Sequence, residues 1–331
     1  MIKDNIQWGI IGCGDVTEVK SGPAFHKVAG SRLVAVMRRD AAKAADYAHR
    51  HGVPKWYDDA SALIADPDVN AIYVATPPSS HEQYALAAIA AGKPVYLEKP
   101  MTLNAGSAAR IVAEAGIQQV KVCIAHYRRA QPLFNRVKEM IEGGSIGKVR
   151  LVHLELNKPP MSAAELANPG KAWRLNPEIA GGGLFHDLSP HQLDILLYYF
   201  GEVARSAGCA AGATKKQGVP DTVTGTILFK SGVAFAGSWC FAVAAGDEKD
   251  QCTILGDQGS IRFSFFENRP VELHTSGEVT RFDFEPLQHV QQPMIEQVVR
   301  YFGGQGPNPC SAEEGLATMH LIDSFSASGT S

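Results

Sequence analysis

Residues 8–17 read "WGIIGCGDVT" (Trp8 to Thr17), a short apolar run ending in Gly-x-Gly. A continuous apolar run of this length suits a strand buried on both faces, as in a parallel sheet covered by helices. Gly12 then permits a tight turn, and Gly14 lets the backbone approach an anion such as a pyrophosphate. Cys13, Asp15 and Val16 complete the turn and open the next helix. The third position of this dinucleotide fingerprint holds Thr17 where Gly or Ala is usual. A bare Gly-x-Gly closes many ordinary turns, so its setting decides the matter.

That setting is regular. "RLVAVM" (Arg32 to Met37), "AIYVAT" (Ala71 to Thr76), "PVYLEK" (Pro94 to Lys99) and "VKVCIA" (Val120 to Ala125) are further apolar runs. Between them "AAKAADYAHRHG", "ASALIADP" and "HEQYALAAIAAG" carry apolar residues at helical spacing with Gly or Pro as stops. Strand and helix alternating at this interval predict an α/β fold with a doubly wound parallel sheet, a Rossmann dinucleotide-binding domain over residues 1–125. After about Gly147 the pattern changes. "KVRLVHLELN", "TVTGTILF", "GVAFAGSWCF" and "GSIRFSF" alternate apolar and polar residues and are separated by turn signals. They predict an α+β domain over 126–331 with a large, mostly antiparallel open sheet.

Bulk properties exclude several classes. A formal net charge of -3 over 331 residues offers no electrostatic footing for nucleic acid, and no apolar run is long enough to span a bilayer. The start, "MIKDNIQWGIIGCG", lacks a positive region with a small-residue cleavage site and reads as mature protein. Six scattered cysteines without C-x-x-C spacing read as reduced core thiols, hence a cytoplasmic protein.

Two further places carry chemistry. After the second strand come Arg38, Arg39 and Asp40. An acid here accepts from the ribose 2'-hydroxyl of NAD, whereas guanidiniums suit the 2'-phosphate of NADP, so NADP is expected with NAD as the alternative. The fourth strand ends in Glu98, Lys99 and Pro100, and a lysine at that carboxyl end faces the ligand crevice of an open α/β sheet.

These residues, with "ATPPSSH" (Ala75 to His81), "EKP", "YRRAQP" (Tyr127 to Pro132) and "WRLNPEIAGGG" leading to Asp187-x-x-x-His191, resemble the glucose–fructose oxidoreductase, inositol dehydrogenase and MocA family, Gfo/Idh/MocA. The motifs come in family order from about residue 7 to 200. The resemblance implies a nicotinamide-dependent oxidoreductase of sugars, anhydro-sugars or polyols, with a second domain whose open sheet mediates a homodimer or homotetramer. It implies cofactor contacts at Thr76, Pro77, Pro78, His81, Glu98 and Lys99, and catalytic roles for Lys99, Asp187 and His191. A dihydrodiol dehydrogenase on the same fold, an imine reductase, and a non-catalytic dinucleotide-binding regulator stay open as alternatives.

Asp187 and His191 are four apart, so on a helix they share a face. Ser189 and Pro190 suit a break or a fresh helix start there, Ser as cap and Pro as first residue. Tyr127, Arg128, Trp173 and Arg174 are expected to bind substrate, the indole stacking on a sugar ring and the guanidiniums donating to hydroxyls. His186 and Asp194 lie near enough in sequence to suggest metal ligands. Hydride transfer needs no metal and no further ligand motif is near, so none is expected. His186 is left without a role.

Overall fold

The computed structural model describes residues 5–212 and 218–327; the first four positions of the start read above lie outside the described residues. The chain forms two compact units, residues 1–131 with 287–319, and residues 132–286 with 320–331.

The first unit is built on six strands: β1 (Ile6–Ile11), β2 (Ser31–Met37), β3 (Lys55–Tyr57), β4 (Ala71–Val74), β5 (Val95–Leu97) and β6 (Val122–Ile124). Their order is β3-β2-β1-β4-β5-β6 with every pair parallel. The strand order reverses between β1 and β4, and the ends of β1, β2, β4 and β5 therefore border a switch-point crevice where such sheets bind ligands. The apolar runs became strands because both sheet faces are covered: β4, β5 and β6 are buried at every residue. The edge strand β3 is not expected from the sequence: unlike β5 and β6 it has no buried residue, and Lys55-Trp56-Tyr57 belongs to no apolar run.

The unit boundaries differ from the expected 1–125 and 126–331, because residues 287–319 belong to the first unit. Helix Gln292–Phe302 buries Met294, Ile295, Val298, Val299 and Phe302, and the Phe302 ring packs 5.6 Å from that of Trp8. An amphipathic helix shows in sequence that it needs a core, not which core it will find.

The second unit carries β7 (Val149–Asn157), β8 (Val203–Ala211), β9 (Thr222–Phe229), β10 (Ala234–Cys240), β11 (Lys249–Gly256), β12 (Gly259–Phe263), β13 (Val271–Thr275) and β14 (Glu278–Phe282). The order is β14-β13-β12-β11-β7-β10-β9-β8, antiparallel except where β10 runs parallel to β7. Val152, Leu154, Val223, Ile227, Phe235 and Trp239 are buried on one face. Helix Gly183–Phe200 covers it, with Phe185 edge-on to Trp239 at 5.1 Å and Trp239 Nε1 donating to Gln192 Oε1 at 2.6 Å. On the opposite face Ala207, Cys209, Thr224 and Thr226 are exposed.

That helix corrects one expectation. It begins at Gly183 and runs unbroken to Phe200, with Pro190 inside it. Proline there forfeits the bond to the His186 carbonyl, a cost of about 3 kcal/mol. Phe185 and Leu193, both fully buried on either side of it, stabilise by roughly 1.5–3 kcal/mol each and offset that cost. Among the described residues, no helix is long and apolar enough to cross a membrane.

Candidate active site

In the first unit the chain turns at Gly12, whose φ of +95° suits glycine. A Cβ there would stand 2.6 Å from Thr76 Cγ2 and 2.9 Å from Thr76 N. Gly12 N and Cys13 N both donate to Met37 O, at 2.9 and 3.2 Å, fastening the turn to the end of β2. Past them the space is open: at Gly14 an added Cβ would meet nothing nearer than Gly12 O at 4.0 Å. The following helix, Asp15–Val19, is only five residues long, with Asp15 in its first turn and Val16 half-buried. Buried Thr17 explains the unusual third position, since its hydroxyl donates to Gly14 O at 2.8 Å and braces the turn. Burial pushes the Cys13 thiol up to about 11, which keeps it protonated and unreactive.

Arg38 lies beside this turn and donates from Nη1 to Cys13 O at 3.2 Å; Arg39 is exposed. Asp40 is committed elsewhere. Its carboxylate accepts from Lys43 N at 3.2 Å and caps helix Ala41–His51, and these Lys43 contacts lower its pKa. The open glycine turn therefore fits the diphosphate of a dinucleotide, with the Arg38 guanidinium at its side.

At the end of β4, Thr76 and Pro77 are half-buried and Pro78 buried. His81 is fully buried. Its Nε2 lies 2.6 Å from Thr76 O and its Nδ1 3.0 Å from Pro100 O, so the ring ties the loop after β4 to the loop after β5. Burial pushes its pKa below the ordinary value.

Glu98 is also buried, at 5% exposure. Its Oε1 accepts from Tyr73 Oη and Gln291 Nε2, both at 2.6 Å, and its Oε2 from Lys99 N at 3.1 Å. Gln291 in turn accepts from Tyr96 Oη at 3.0 Å and donates its backbone N–H to Lys20 O at 3.1 Å. Burial and the neighbouring carboxylate push the Tyr73 phenol well above its ordinary pKa, so it stays a donor. This cluster brings half-buried Lys99 to the strand end on a rigid footing. Tyr127 is buried, with the Arg128 guanidinium 5.8 Å from its ring centroid.

In the second unit, Asp187 and His191 lie one turn apart on helix Gly183–Phe200. Arg174 Nε donates to Asp187 Oδ2 at 2.9 Å, and its guanidinium sits 4.8 Å over the Trp173 ring. Arg174 Nη1 and Trp173 Nε1 both donate to Gly170 O, at 3.1 Å. His191 is 5% exposed and meets the edge of Phe266, ring centroids 5.8 Å apart. The loop carrying Phe266 is held by buried Asp250, which accepts the N–H groups of Phe265, Phe266 and Glu267 at 3.1, 2.5 and 3.0 Å. His186, left without a role by the sequence, packs its ring against Gly181 and Gly182, where any Cβ would collide with it. Near the start of the helix a small pocket opens, with Leu184, Leu175, Met161 and Asp221 among its walls.

Each unit thus assembles its own part of the expected set: Gly12, Gly14, Arg38 and Lys99 in the first, Trp173, Arg174, Asp187 and His191 in the second. Tyr73, Gln291, Asp250 and Phe266 went unread. Gln291 and Asp250 are lone polar residues in otherwise ordinary stretches, and their partners are distant in sequence, so no local signal marks them.

Residues 6–126 match the family described as "Oxidoreductase family, NAD-binding Rossmann fold", and residues 134–262 match the "GFO/IDH/MocA C-terminal domain". Over 326 residues the chain is 46% identical to oxidoreductase P35 of Formosa agariphila, covering 98% of this chain and 99% of that protein. It is 30% identical over 237 residues to a 1,5-anhydro-D-fructose reductase of Ensifer adhaerens, covering 69% and 67%. A levoglucosan dehydrogenase solved with NADH shares the fold with a TM-score of 0.85 at 20% identity, over 97% of this chain and 96% of that one. The two matched domains and the end-to-end likeness to P35 place this chain in the Gfo/Idh/MocA family of oxidoreductases, its Rossmann domain an NAD-binding one.

Proposed function

We propose that the protein is a cytoplasmic NADP(H)-dependent oxidoreductase of a sugar, anhydro-sugar or polyol. The observation that carries the reading is the placement of Asp187 and His191 on one helix face, Asp187 gripped by Arg174 and His191 held against Phe266. The reductase and dehydrogenase names of its relatives support the substrate class.

A bound nicotinamide supplies hydride chemistry. The glycine turn from Gly12 to Val16 holds the diphosphate, and Arg38, with exposed Arg39 beside it, pairs with a 2'-phosphate. The loop from Thr76 to Pro78 lines the crevice, and His81 and Glu98 brace it from within. Lys99 polarises the reacting oxygen, and His191 moves its proton, the general acid/base role that histidine fills most often. Asp187, held by Arg174, accepts from substrate hydroxyls. Tyr127 and Arg128, with Trp173 and Arg174, contact the sugar.

Replacing His191 tests the reading. His191→Ala lowers turnover by about 10²- to 10⁴-fold, the usual size of a general acid/base contribution, with NADPH affinity nearly unchanged. Turnover and thermal unfolding are measured on the same variant. Full activity in folded His191→Ala protein removes the proton role from His191.

A further inference from the structure

Helix Gly183–Phe200 fixes the backbone of His191, but it leaves the ring free to turn about χ2, whose preferences are broad. A general acid/base needs more, because the proton passes only when a ring nitrogen stands within about 2.6–3.2 Å of the reacting oxygen. Phe266 meets this ring from outside the helix, centroids 5.8 Å apart and ring planes at 73°. That falls within the roughly 4.5–7 Å range in which edge-on aromatic pairs attract. A contact of this kind selects among the rotations that the helix leaves open.

Phe266 lies on a loop, and a loop residue can aim another ring only if its own backbone is held. Strand β12 ends at Phe263, paired with Cys252 of β11, and β13 begins at Val271, so residues 264–267 have left the sheet. Two positions before Cys252, buried Asp250 takes over from the ladder and accepts the N–H groups of Phe265, Phe266 and Glu267. Phe265 pins the same loop to the core. It is buried, with its ring 5.2 Å from that of Phe134 and 5.4 Å from that of Phe263. Aspartate is a poor strand residue, so sheet propensity does not account for it in β11. Its two acceptor oxygens do: a carboxylate takes three donors, whereas an amide offers one acceptor oxygen and sets its own N–H groups against the rest.

Resting on the reading of His191 as the group that moves the proton, we propose that Phe266 is a positioning residue for that transfer and Asp250 the anchor that aims it. Phe266 sets the imidazole rotation, and Asp250 sets Phe266. Asp187 is served in the same way by Arg174, so each member of the pair is oriented by a residue outside the helix.

The test uses the full chain with NADP and a panel of aldoses, cyclitols and anhydro-sugars that includes D-glucose, myo-inositol and 1,5-anhydro-D-glucitol. Phe266→Leu keeps the loop apolar and removes the ring; Asp250→Asn keeps the ring and loosens the loop. Each is expected to lower kcat by about 10- to 100-fold, the cost of misplacing a reacting group by about an ångström, with KM nearly unchanged. In a His191→Ala background neither adds a further loss, because both act through that one group. Carbon-13 labelling of histidine Cε1 gives a readout free of turnover. His191→Ala identifies the resonance, Phe266→Leu moves it by removing the ring current, and Asp250→Asn moves it in the same direction. Should Asp250→Asn fail to fold, Phe266→Leu alone carries the three readouts. A raised KM at unchanged kcat makes Phe266 a substrate contact, and a loss that persists in His191→Ala protein makes its role purely structural. Either result, or a His191 resonance that stays in place in folded Phe266→Leu protein, overturns the proposal and leaves the assigned reaction standing. Full activity of folded His191→Ala protein, or no turnover across the panel, refutes the assigned reaction and this proposal with it.

Discussion

At the scale of single residues, the clearest contrast is between Arg38 and Asp40. Two positions apart, one donates to the glycine turn and the other caps a helix. An acid that caps a helix is spent, so the charge available beside the turn is positive. Arg38→Asp is expected to weaken NADPH binding by roughly 1.5–3 kcal/mol, the worth of a charge-assisted hydrogen bond, and to favour NADH relatively. Fluorescence titration of both nucleotides checks it, and equal affinities in the unmodified protein count against a 2'-phosphate contact. The sequence put arginines here on chemical grounds. It could not show that Asp40 turns away, because a capping bond to Lys43 N depends on where the helix begins.

At the scale of elements, the end of β5 is held by a residue nearly two hundred positions away. Gln291 joins Glu98, Tyr96 and the Lys20 carbonyl, linking the strand that carries Lys99 to the segment after the glycine turn. Glu98→Gln keeps the shape but sets an amide N–H2 against donors. It is expected to cost about 1.5–3 kcal/mol, read from the denaturant midpoint, and to lower turnover per folded molecule. An unchanged midpoint shows that the cluster does not brace the strand end. Helix Gly183–Phe200 teaches the same lesson in another way. Pro190 signals a helix start by local rules, yet burial of Phe185 and Leu193 carries the helix through it.

For the molecule as a whole, the second unit's sheet has one face on helix Gly183–Phe200 and another lined by Ala207, Cys209, Thr224 and Thr226, all exposed. At the β8–β9 end of this face the side chains are small and uncharged, while its other end carries Arg262, Glu272 and Arg281; the small end suits contact with a second copy in a symmetric dimer or tetramer. Light scattering at micromolar concentration is expected to give an assembly, and Thr224→Lys to break it into monomers that keep their far-UV circular dichroism and unfold at a temperature independent of concentration. A monomer in the unmodified protein rules this face out as a self-association surface.

The sequence alone determined the strand-and-helix alternation, the turn at Gly12 and Gly14 and the one-turn spacing of Asp187 and His191. Each rests on local periodicity or on the conformational freedom of glycine, and neighbouring residues carry that information. Tertiary structure decided the rest. It returned residues 287–319 to the first unit, buried Glu98 against Tyr73 and Gln291, closed His81 between two loops, and gave Asp250 the task of holding Phe266 against His191. These choices turn on which buried donor meets which acceptor across distant stretches of chain. An unpaired polar group in the core costs about 1–3 kcal/mol, and its partner lies far off in sequence, so the pairing is settled only when the whole chain has packed.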